Sequence, residues 1–349
     1  MSKTLYLQIS EKSKKVFKSV VETYLNTGEP VGSETLSKTM GIDISSSSIR
    51  SILANLQRDG FLFAPHISSG RVPTDKGIRY FVEGLLEFGR LSKSEQQNIK
   101  TKCKAKGALF EDVLGEASKT LSGLSKCAGF VVAPKYQNKI KHIEFIKLDS
   151  NKIMSIIANE NGLVENRILE PNYVYDDSNL RKVSNYLNSK FSGNTFEEIK
   201  LKLNKEIKNS KLELDTVSTK LVKEGIIQIP PNKSQNPYLF LHGQSTLLED
   251  DLISKDLDKI RTLFDDIENK SNFLNILEST NNGQGVQIFI GSQNNLFNHS
   301  GLSMVMAPYK NNEQKIIGAI GVVGSMRINY ARIVPLVDYT SKIVGRILS

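Results

Sequence analysis

The chain of 349 residues is longer than one hydrophobic core usually organises, so two or three domains are expected. Hydrophobic residues make up 39% of it and charged residues 24%, a composition that indicates a folded globular protein and excludes disordered and membrane-embedded classes. Its apolar stretches are too short to span a bilayer, and the first residues lack the apolar core of a secretory signal. We therefore expect a cytoplasmic protein with no membrane partner.

The formal net charge is +9, which suits a polyanionic partner such as nucleic acid. The excess is carried by 35 lysines against 11 arginines, so a lysine-rich coding bias would explain it equally well. The distribution of arginine is more informative, because guanidinium groups form bidentate contacts with guanine edges and phosphates. Five of the 11 arginines lie within the first 90 residues, namely Arg50, Arg58, Arg71, Arg79 and Arg90.

Two helices are predicted at the start of the chain. Ser10 is a candidate N-cap for the first, over Ser13 to Tyr24, and Gly28 with Pro30 ends it. Its apolar face is predicted to comprise Val16, Phe17, Val20, Val21 and Tyr24. A second, short helix is predicted from Ser33 to about Met40.

A third helix follows the run of four serines at 45–48. Ile49, Ile52, Leu53 and Leu56 repeat at the spacing of a buried helix face. The residues left outward are Ser47, Ser48, Arg50, Ser51, Ala54, Asn55 and Arg58. This pattern predicts a recognition helix that enters a DNA groove. Its serines would donate hydrogen bonds to phosphates or would only cap the helix.

A short hairpin is predicted next, with strands at 60–64 and 71–72 and a turn at 68–70. Such a wing places His66 and Arg71 near phosphates or a minor groove, although a histidine like His66 is more often only a surface residue. Pro73 is expected to halt the strand, and Thr74 to cap a helix over 75–86. The candidate DNA contacts are Ser33, Ser46, Ser47, Ser48, Arg50, Ser51, Asn55, Arg58, His66, Arg71, Lys76 and Arg79.

Three separated segments resemble the HrcA family of heat-inducible transcription repressors. They are TGEPVGSETLSK at 27–38, PHISSGRVPTDKGIRYFV at 65–82 and GAIGVVGSMRINYARIVPLVDYTSKIV at 318–344. The resemblance implies a homodimer that binds a double-stranded, inverted-repeat operator of the CIRCE type ahead of chaperone genes. It also implies that a GroEL-type chaperonin promotes the active repressor, which would be nucleoid-associated when bound.

The chain departs from the family pattern at two places. Arg50 is kept, but Ser51 and Ile52 stand where the family usually has Asn-Asp, so the operator preference is expected to differ. In the third segment the usual Gly-Pro-Thr-Arg-Met-Asp-Tyr is replaced by residues 324–330, which changes loop detail but leaves the following helix intact.

The rest of the chain is predicted to be α+β. Helical, charged sequence over 84–125 indicates a linker helix, and a terminal helix is expected over 330–348, kinked or effectively begun by Pro335. Strands are predicted at 129–133, 141–148, 153–158, 163–168, 286–290, 302–307 and 315–323. The resemblance implies a GAF-like body interrupted by an inserted dimerisation domain. The predicted domains are a winged helix-turn-helix at 1–88, the body at 89–171 and 249–349, and the insert at 172–248.

The insert carries amphipathic helical patterns at 180–191, 197–208 and 214–223, whose apolar faces need cover from a second subunit or from the chain's own body. The four histidines and two cysteines have no metal-ligand spacing, and the glycines of 318–325 lack the lysine of a phosphate-binding loop. Those glycines indicate a turn or bulge instead. We expect no cofactor, no metal and no enzymatic activity. Two alternatives are a regulator with a small-molecule ligand in its body and a sequence-tolerant architectural DNA-binding protein.

Overall fold

A computed structural model gives the fold, which is of mixed α and β type with antiparallel sheets, as predicted. It describes residues 9–40, 44–66, 69–103, 110–133, 139–149, 151–160, 164–171, 173–209, 214–227, 238–249, 258, 261–263, 265, 285–291, 301–312, 314 and 316–348. In this part of the chain, no helix combines the length and the apolar character needed to cross a bilayer.

Four helices build the N-terminal unit, residues 9–84. They are α1 (Glu11–Thr27), α2 (Ser33–Met40), α3 (Ser46–Arg58) and α4 (Asp75–Gly84). The predicted caps of α1 are confirmed: Ser10 accepts from the backbone N–H of Ser13, and Gly28 ends the helix at a positive φ of 75°. Thr74 caps α4 as predicted, accepting from the N–H of Gly77. Because these signals are local, the sequence alone predicted the helix starts.

A hairpin of β1 (Leu62–Phe63) and β2 (Val72–Pro73) follows α3. Val31 and Arg71 exchange backbone hydrogen bonds of 2.9 Å in both directions, which joins the segment before α2 to the edge of the hairpin. The expectation that Pro73 halts the strand is confirmed, since Pro73 pairs with Leu62 as the last residue of β2. Proline fits there because, in a two-residue edge strand, its missing N–H removes little of the hydrogen bonding.

The linker between the N-terminal unit and the rest of the chain is not the single helix predicted over 84–125. It contains two helices, α5 (Lys93–Cys103) and α6 (Phe110–Ser125), and residues 85–92 between α4 and α5 are not helical. Gly89 donates its N–H to the carbonyl of Ala331 at 3.0 Å. That carbonyl would normally accept from residue 335, which is a proline without an N–H. Because Pro335 cannot donate to it, the Ala331 carbonyl accepts from Gly89 instead and holds the linker.

A five-stranded antiparallel sheet forms the centre of the body. Its order is β7-β3-β10-β9-β8, with β3 (Ala128–Ala133), β7 (Tyr238–His242), β8 (Gln287–Ile290), β9 (Leu302–Lys310) and β10 (Ile316–Ser325). The short α10 (Ser245–Leu248) follows β7, and α11 (Tyr330–Ile347) closes the chain with Pro335 inside it. The predicted strands at 129–133, 286–290, 302–307 and 315–323 all lie in this sheet.

Small residues let the body pack closely. A Cβ at Gly129 would lie 2.3 Å from the carbonyl oxygen of Ser118, so α6 approaches β3 only because this residue is glycine. Ser118 donates its hydroxyl to the Gly129 carbonyl at 2.8 Å. The predicted bulge among the glycines of 318–325 is present between Ile316 and Gly318. Gly321, in contrast, lies inside β10, where a Cβ would meet the ring of Phe130.

A separate three-stranded sheet, β4 (Ile140–Lys147), β5 (Ile153–Asn159) and β6 (Val164–Leu169), packs against further helices. These are α7 (Asp177–Phe191), α8 (Phe196–Lys208) and α9 (Thr216–Val222), the last continued by one π-helical turn, Lys223–Ile227. One hydrophobic cluster runs from Ile140 to Ile226, and we call this part the small-sheet unit. Its extent differs from the insert expected at 172–248. Strands β4–β6 belong with the helices that cover them, and β7 instead pairs with β3 in the body.

The N-terminal unit and the body share one core. Buried residues of the N-terminal unit, such as Phe17 and Phe81, belong to the same hydrophobic cluster as Ile290, Ile328 and Leu336 of the body. The opposite face of the five-stranded sheet carries a second cluster that includes Phe130, Met304 and Leu247. The body is therefore covered on one face by helices and the N-terminal unit together.

Candidate nucleic-acid interface

Helix α3 is buried along one side and open along the other. Ile49, Leu53 and Leu56 are buried in the core of the N-terminal unit, and Ile52 is partly buried beside them. The exposed residues, which we call the α3 face, are Ser47, Arg50, Ser51, Ala54, Asn55, Gln57 and Arg58. The sequence prediction of buried and outward positions is thus confirmed, with Ser48 half-buried. A 13-residue helix is about 20 Å long, which suits a major groove.

The serines before α3 form a linked cap. Ser45 is the N-cap and accepts from the N–H of Ser48 at 3.3 Å. Its Oγ also lies 3.0 Å from the hydroxyls of Ser47 and Ser48. The capping role is therefore present in the structure, while the exposed hydroxyl of Ser47 stands at the positive end of the helix. Ser46, the first residue of α3, is half-buried.

Arg50 links α3 to α2. Its Nε donates to Oγ of Ser33 at 3.3 Å, and Ser33 is the first residue of α2. This contact brings two of the predicted DNA contacts together although they are 17 positions apart. Arg58 and Asn55 lie on the same exposed side of α3. The surface thus combines guanidinium groups, an amide and hydroxyls, which are the groups that read base edges and phosphates.

The hairpin places two further candidates beside this surface. His66 is exposed, and its backbone forms a tight turn in which Ser69 Oγ accepts from the His66 N–H and donates to the His66 carbonyl. Arg71 is half-buried and donates from Nη1 to the Ser69 carbonyl at 3.1 Å. The predicted turn residue Ser68 lies outside the described residues. Phe63, exposed on β1, is an apolar residue of the hairpin that the sequence did not single out.

Two predicted contacts of α4 lie elsewhere. Lys76 donates from Nζ to the carbonyl of Asp59 at 2.8 Å and sits 4.5 Å above the ring of Phe61, so it closes the C-terminal end of α3. Arg79 is directed to the body, where its Nη2 donates to the Ile290 carbonyl at 3.0 Å. The structure therefore does not bring Arg79 to the α3 face. A partner 211 positions away left no signal in the local sequence.

Gln57 and Lys38 were missed by the sequence reasoning and lie exposed on α3 and α2. Gln57 follows Arg50 by seven positions and Ala54 by three, so helical spacing alone would have placed it on the α3 face. Lys38 is an exposed cation in the last turn of α2.

A cavity of about 440 Å³ lies beside the end of β9 and the last turns of α11, and its charged lining residues include Lys310, Lys342, Arg346 and Asp338. Lys342 is ion-paired with Asp338 at 2.6 Å. Within the described ranges, no three His, Cys, Asp or Glu side chains come together as a metal site would require.

Comparisons with known proteins agree with one another. Residues 111–334 match the family model described as HrcA protein C terminal domain. The chain is 42% identical over 99% of its length to a protein of Brucella canis named heat-inducible transcription repressor HrcA, of which 98% is covered. Proteins of the same name from Chelativorans sp. and Caulobacter vibrioides are 41% and 39% identical, with 96% and 95% of each covered.

A solved structure supports the fold. The crystal structure of a hypothetical protein superposes with a TM-score of 0.62 at 20% identity, covering 97% of this chain and 98% of the other. Full-length similarity near 40% identity and the matched family model together settle the relationship. The chain belongs to the HrcA family of heat-inducible transcription repressors.

Proposed function

We propose that this chain is a DNA-binding transcriptional repressor of heat-shock chaperone genes, without enzymatic activity. It binds an inverted-repeat operator of the CIRCE type as a homodimer, and a GroEL-type chaperonin keeps it active. It acts in the cytoplasm and joins the nucleoid when bound to its operator. The observation that carries the proposal is the α3 face, an exposed helix surface with Arg50, Asn55 and Arg58 beside a short hairpin.

We infer that the N-terminal unit is a winged helix. Helices α1 to α3, with only one side of α3 buried, the hairpin directly after α3 and the backbone pairing of Val31 with Arg71 support this. In this arrangement α3 is the recognition helix, and the hairpin, with His66 and Arg71, is the wing. The body is GAF-like in this proposal, a reading supported by its five-stranded antiparallel sheet between helices and a second apolar cluster.

The small-sheet unit is the proposed dimerisation domain. Neighbouring strands place Ile146, Met154 and Ile168 in one row on the face turned away from α7. Ile146 is 41% exposed, Ile168 65% and Val164 on the same face 55%. Large exposed apolar side chains on one sheet face indicate an interaction surface. A second copy of the chain covers such a face symmetrically, residue for residue.

Direct binding tests the repressor proposal. The purified full-length chain is titrated against a labelled duplex from the promoter of its own chaperonin gene, and footprinting locates the protected bases. We expect protection of an inverted repeat, with affinity that falls as salt rises by a log-log slope of about −0.9 per phosphate contacted. Added chaperonin should increase the active fraction. Equal affinity for a scrambled duplex would contradict a specific operator and support an architectural protein instead.

A second candidate function is a repressor controlled by a small anionic molecule. The cavity beside Lys310, Lys342 and Arg346 favours it, because three cations line one opening with a single described carboxylate, Asp338. A thermal-shift screen of metabolites, followed by operator titration with each hit, tests this function. A metabolite that changes operator affinity without chaperonin supports it, and a screen in which none does so removes it.

A further inference from the structure

Two arginines hold the N-terminal unit against the body. The first is Arg79 of α4, whose Nη2 donates to the carbonyl of Ile290, the last residue of β8. The contact is part-buried, so water competes weakly for that carbonyl. A hydrogen bond from a charged donor to a carbonyl is stronger than one between neutral groups. Arg79 therefore fixes α4 to the edge of the five-stranded sheet.

Asp75 of α4, one helical turn before Arg79, contacts the same part of the body, at Gly291. A Cβ placed on Gly291 would lie 1.8 Å from the carboxylate of Asp75, and Gly291 has a positive φ of 65°. The turn after β8 thus needs glycine both for its backbone and for the close approach of α4. Two residues of one helix face contact two consecutive residues of the body.

The second arginine is Arg327, in the connection between β10 and α11. A Cβ on Gly28 would lie 1.8 Å from its Nη1, so the guanidinium rests on the residue that ends α1. The last turn of α1 contains no basic residue of its own. A cation at the carboxyl end of a helix is favourable because the helix dipole is negative there. The body supplies this cation.

These contacts leave the α3 face uncovered. Arg50, Asn55 and Arg58 stay exposed while the N-terminal unit is held at α1 and α4. The Gly89 to Ala331 hydrogen bond and the continuous core hold the linker in the same arrangement. A recognition helix carried this way has one orientation relative to its body.

We propose that Arg79 and Arg327 are positioning residues that fix the recognition helix relative to the body and so determine which half-site spacing the dimer accepts. This inference rests on the proposed operator binding. Two winged helices held rigidly on a dimer reach half-sites only at one separation and one rotation along the duplex. If the junctions are loosened, the two winged helices reach half-sites at several separations. The dimer then binds its best-spaced operator with lower affinity.

The experiment measures the Kd of the full-length chain for a series of duplexes. These carry the inverted repeat at its natural spacing, at spacings lengthened in single base pairs through one helical turn, and as a single half-site. For wild type we expect a loss of about tenfold or more when about 5 base pairs are added, because the half-sites then face opposite sides. For Arg79→Ala and Arg327→Ala we expect the ratio of the Kd at the lengthened spacing to the Kd at the natural spacing to fall severalfold. The Kd for a single half-site should change little.

A second readout reports the junction without DNA. Spin labels at Lys38→Cys in α2 and Lys119→Cys in α6, both exposed, give the distance distribution between the two parts, while Cys103 and Cys127 are buried. The distribution should be narrow in wild type and broad in the arginine variants. Gly291→Ala breaks the junction from the body side, and Arg79→Lys, which keeps a charged donor, should restore part of the selectivity.

Arg181→Ala is the matched control, an exposed arginine of α7 outside the junction, and should leave both readouts unchanged. Unaltered spacing selectivity in the Arg79 and Arg327 variants with a broadened distance distribution would overturn the proposal. A narrow distribution in those variants would overturn it as well, as would a half-site Kd that weakens as much as the full operator. Failure of wild type to bind any inverted repeat would instead contradict the repressor function. The spin-label distances would still show whether the two arginines hold the N-terminal unit against the body.

Discussion

Arg50 in α3 donates from Nε to the hydroxyl of Ser33 at the start of α2, across 3.3 Å. The bond uses one of the three guanidinium nitrogens, and Nη1 and Nη2 remain on an exposed side chain. Because the contact is at Nε, it orients the guanidinium group and leaves Nη1 and Nη2 available. These two nitrogens can bind a bidentate acceptor such as a guanine edge.

Replacing Arg50 by alanine should therefore weaken operator binding by about 1–3 kcal/mol while scrambled DNA loses less. Fluorescence anisotropy against both duplexes measures the difference. Arg50→Lys keeps the charge without the fork, so its affinity for scrambled DNA should match wild type while its operator affinity falls. Ser33→Ala should have a smaller effect than Arg50→Ala, since it removes only the support. Equal losses on operator and scrambled DNA would show that Arg50 contacts phosphate alone.

The outer face of the small-sheet unit gives a second prediction. Ile168 is 65% exposed and lies in the row with Ile146 and Met154. Placing a charge there should cost little in a monomer but should disfavour an apolar interface strongly, because the ammonium would be buried without a partner. We expect Ile168→Lys to shift the chain to monomer in sedimentation velocity at concentrations where wild type is dimeric.

The matched control is Val217→Lys, which adds the same charge at another exposed apolar residue, in α9. It should leave the dimer intact. If Ile168→Lys sediments as wild type does, the dimer interface lies elsewhere on the molecule.

The parts of this fold that the sequence predicts well depend on neighbours in the chain. Ser10, Gly28 and Thr74 mark helix ends through contacts within four residues, and α3 shows its buried side by spacing alone. The DNA-facing candidates on α3 could be named for the same reason. Five of them, Ser47, Arg50, Ser51, Asn55 and Arg58, are exposed, whereas Ser46 and Ser48 are half-buried, and the role of all seven in binding stays a prediction.

The parts that the sequence did not predict depend on distant partners. In the sequence, Arg79 cannot be distinguished from an exposed arginine, because its partner Ile290 is 211 positions away. The affiliation of β4–β6 with α7–α9 follows from which strands pair, and strand pairing is a property of the whole sheet. Likewise Pro335 predicts a kink or the effective start of the helix, whereas in the structure the helix already begins at Tyr330 and the Ala331 carbonyl accepts from Gly89.

Cys103 gives a third prediction. It is buried at the end of α5, and burial, with a smaller contribution from Glu116, raises the pKa of its thiol to about 11. The thiolate is the reactive form, and at pH 8 only about a thousandth of such a thiol is ionised. Iodoacetamide should therefore leave Cys103 unmodified in the folded protein and modify it quickly in urea, as peptide mass spectrometry would show. Rapid modification of the folded chain would contradict this burial.

A fourth prediction concerns the acid side of the stability curve. Glu95, in the first turn of α5, forms a reciprocal cap with Ser92. Its carboxylate accepts from the Ser92 N–H at 2.9 Å and from the Ser92 hydroxyl at 2.8 Å, and its own N–H donates to the Ser92 hydroxyl at 3.2 Å. The carboxylate also accepts from Arg332 of α11 at 3.1 Å. These contacts lower the pKa of Glu95 below its ordinary value of 4.5, with the backbone hydrogen bond from Ser92 as the largest cause.

Because the folded state has the lower pKa, Glu95 stabilises the fold fully above about pH 4.5. That stabilisation should disappear as the pH falls through the lowered pKa, where the carboxyl is protonated in both states. Urea unfolding of wild type and Glu95→Gln at a series of pH values should show a difference that shrinks toward acid. The difference should stay below about 1 kcal/mol, since the Arg332 side chain is 53% exposed and water and salt screen the ion pair. Arg332→Ala should keep most of the pH dependence, because the Ser92 contacts lead, and a flat profile in that variant would assign the effect to the ion pair.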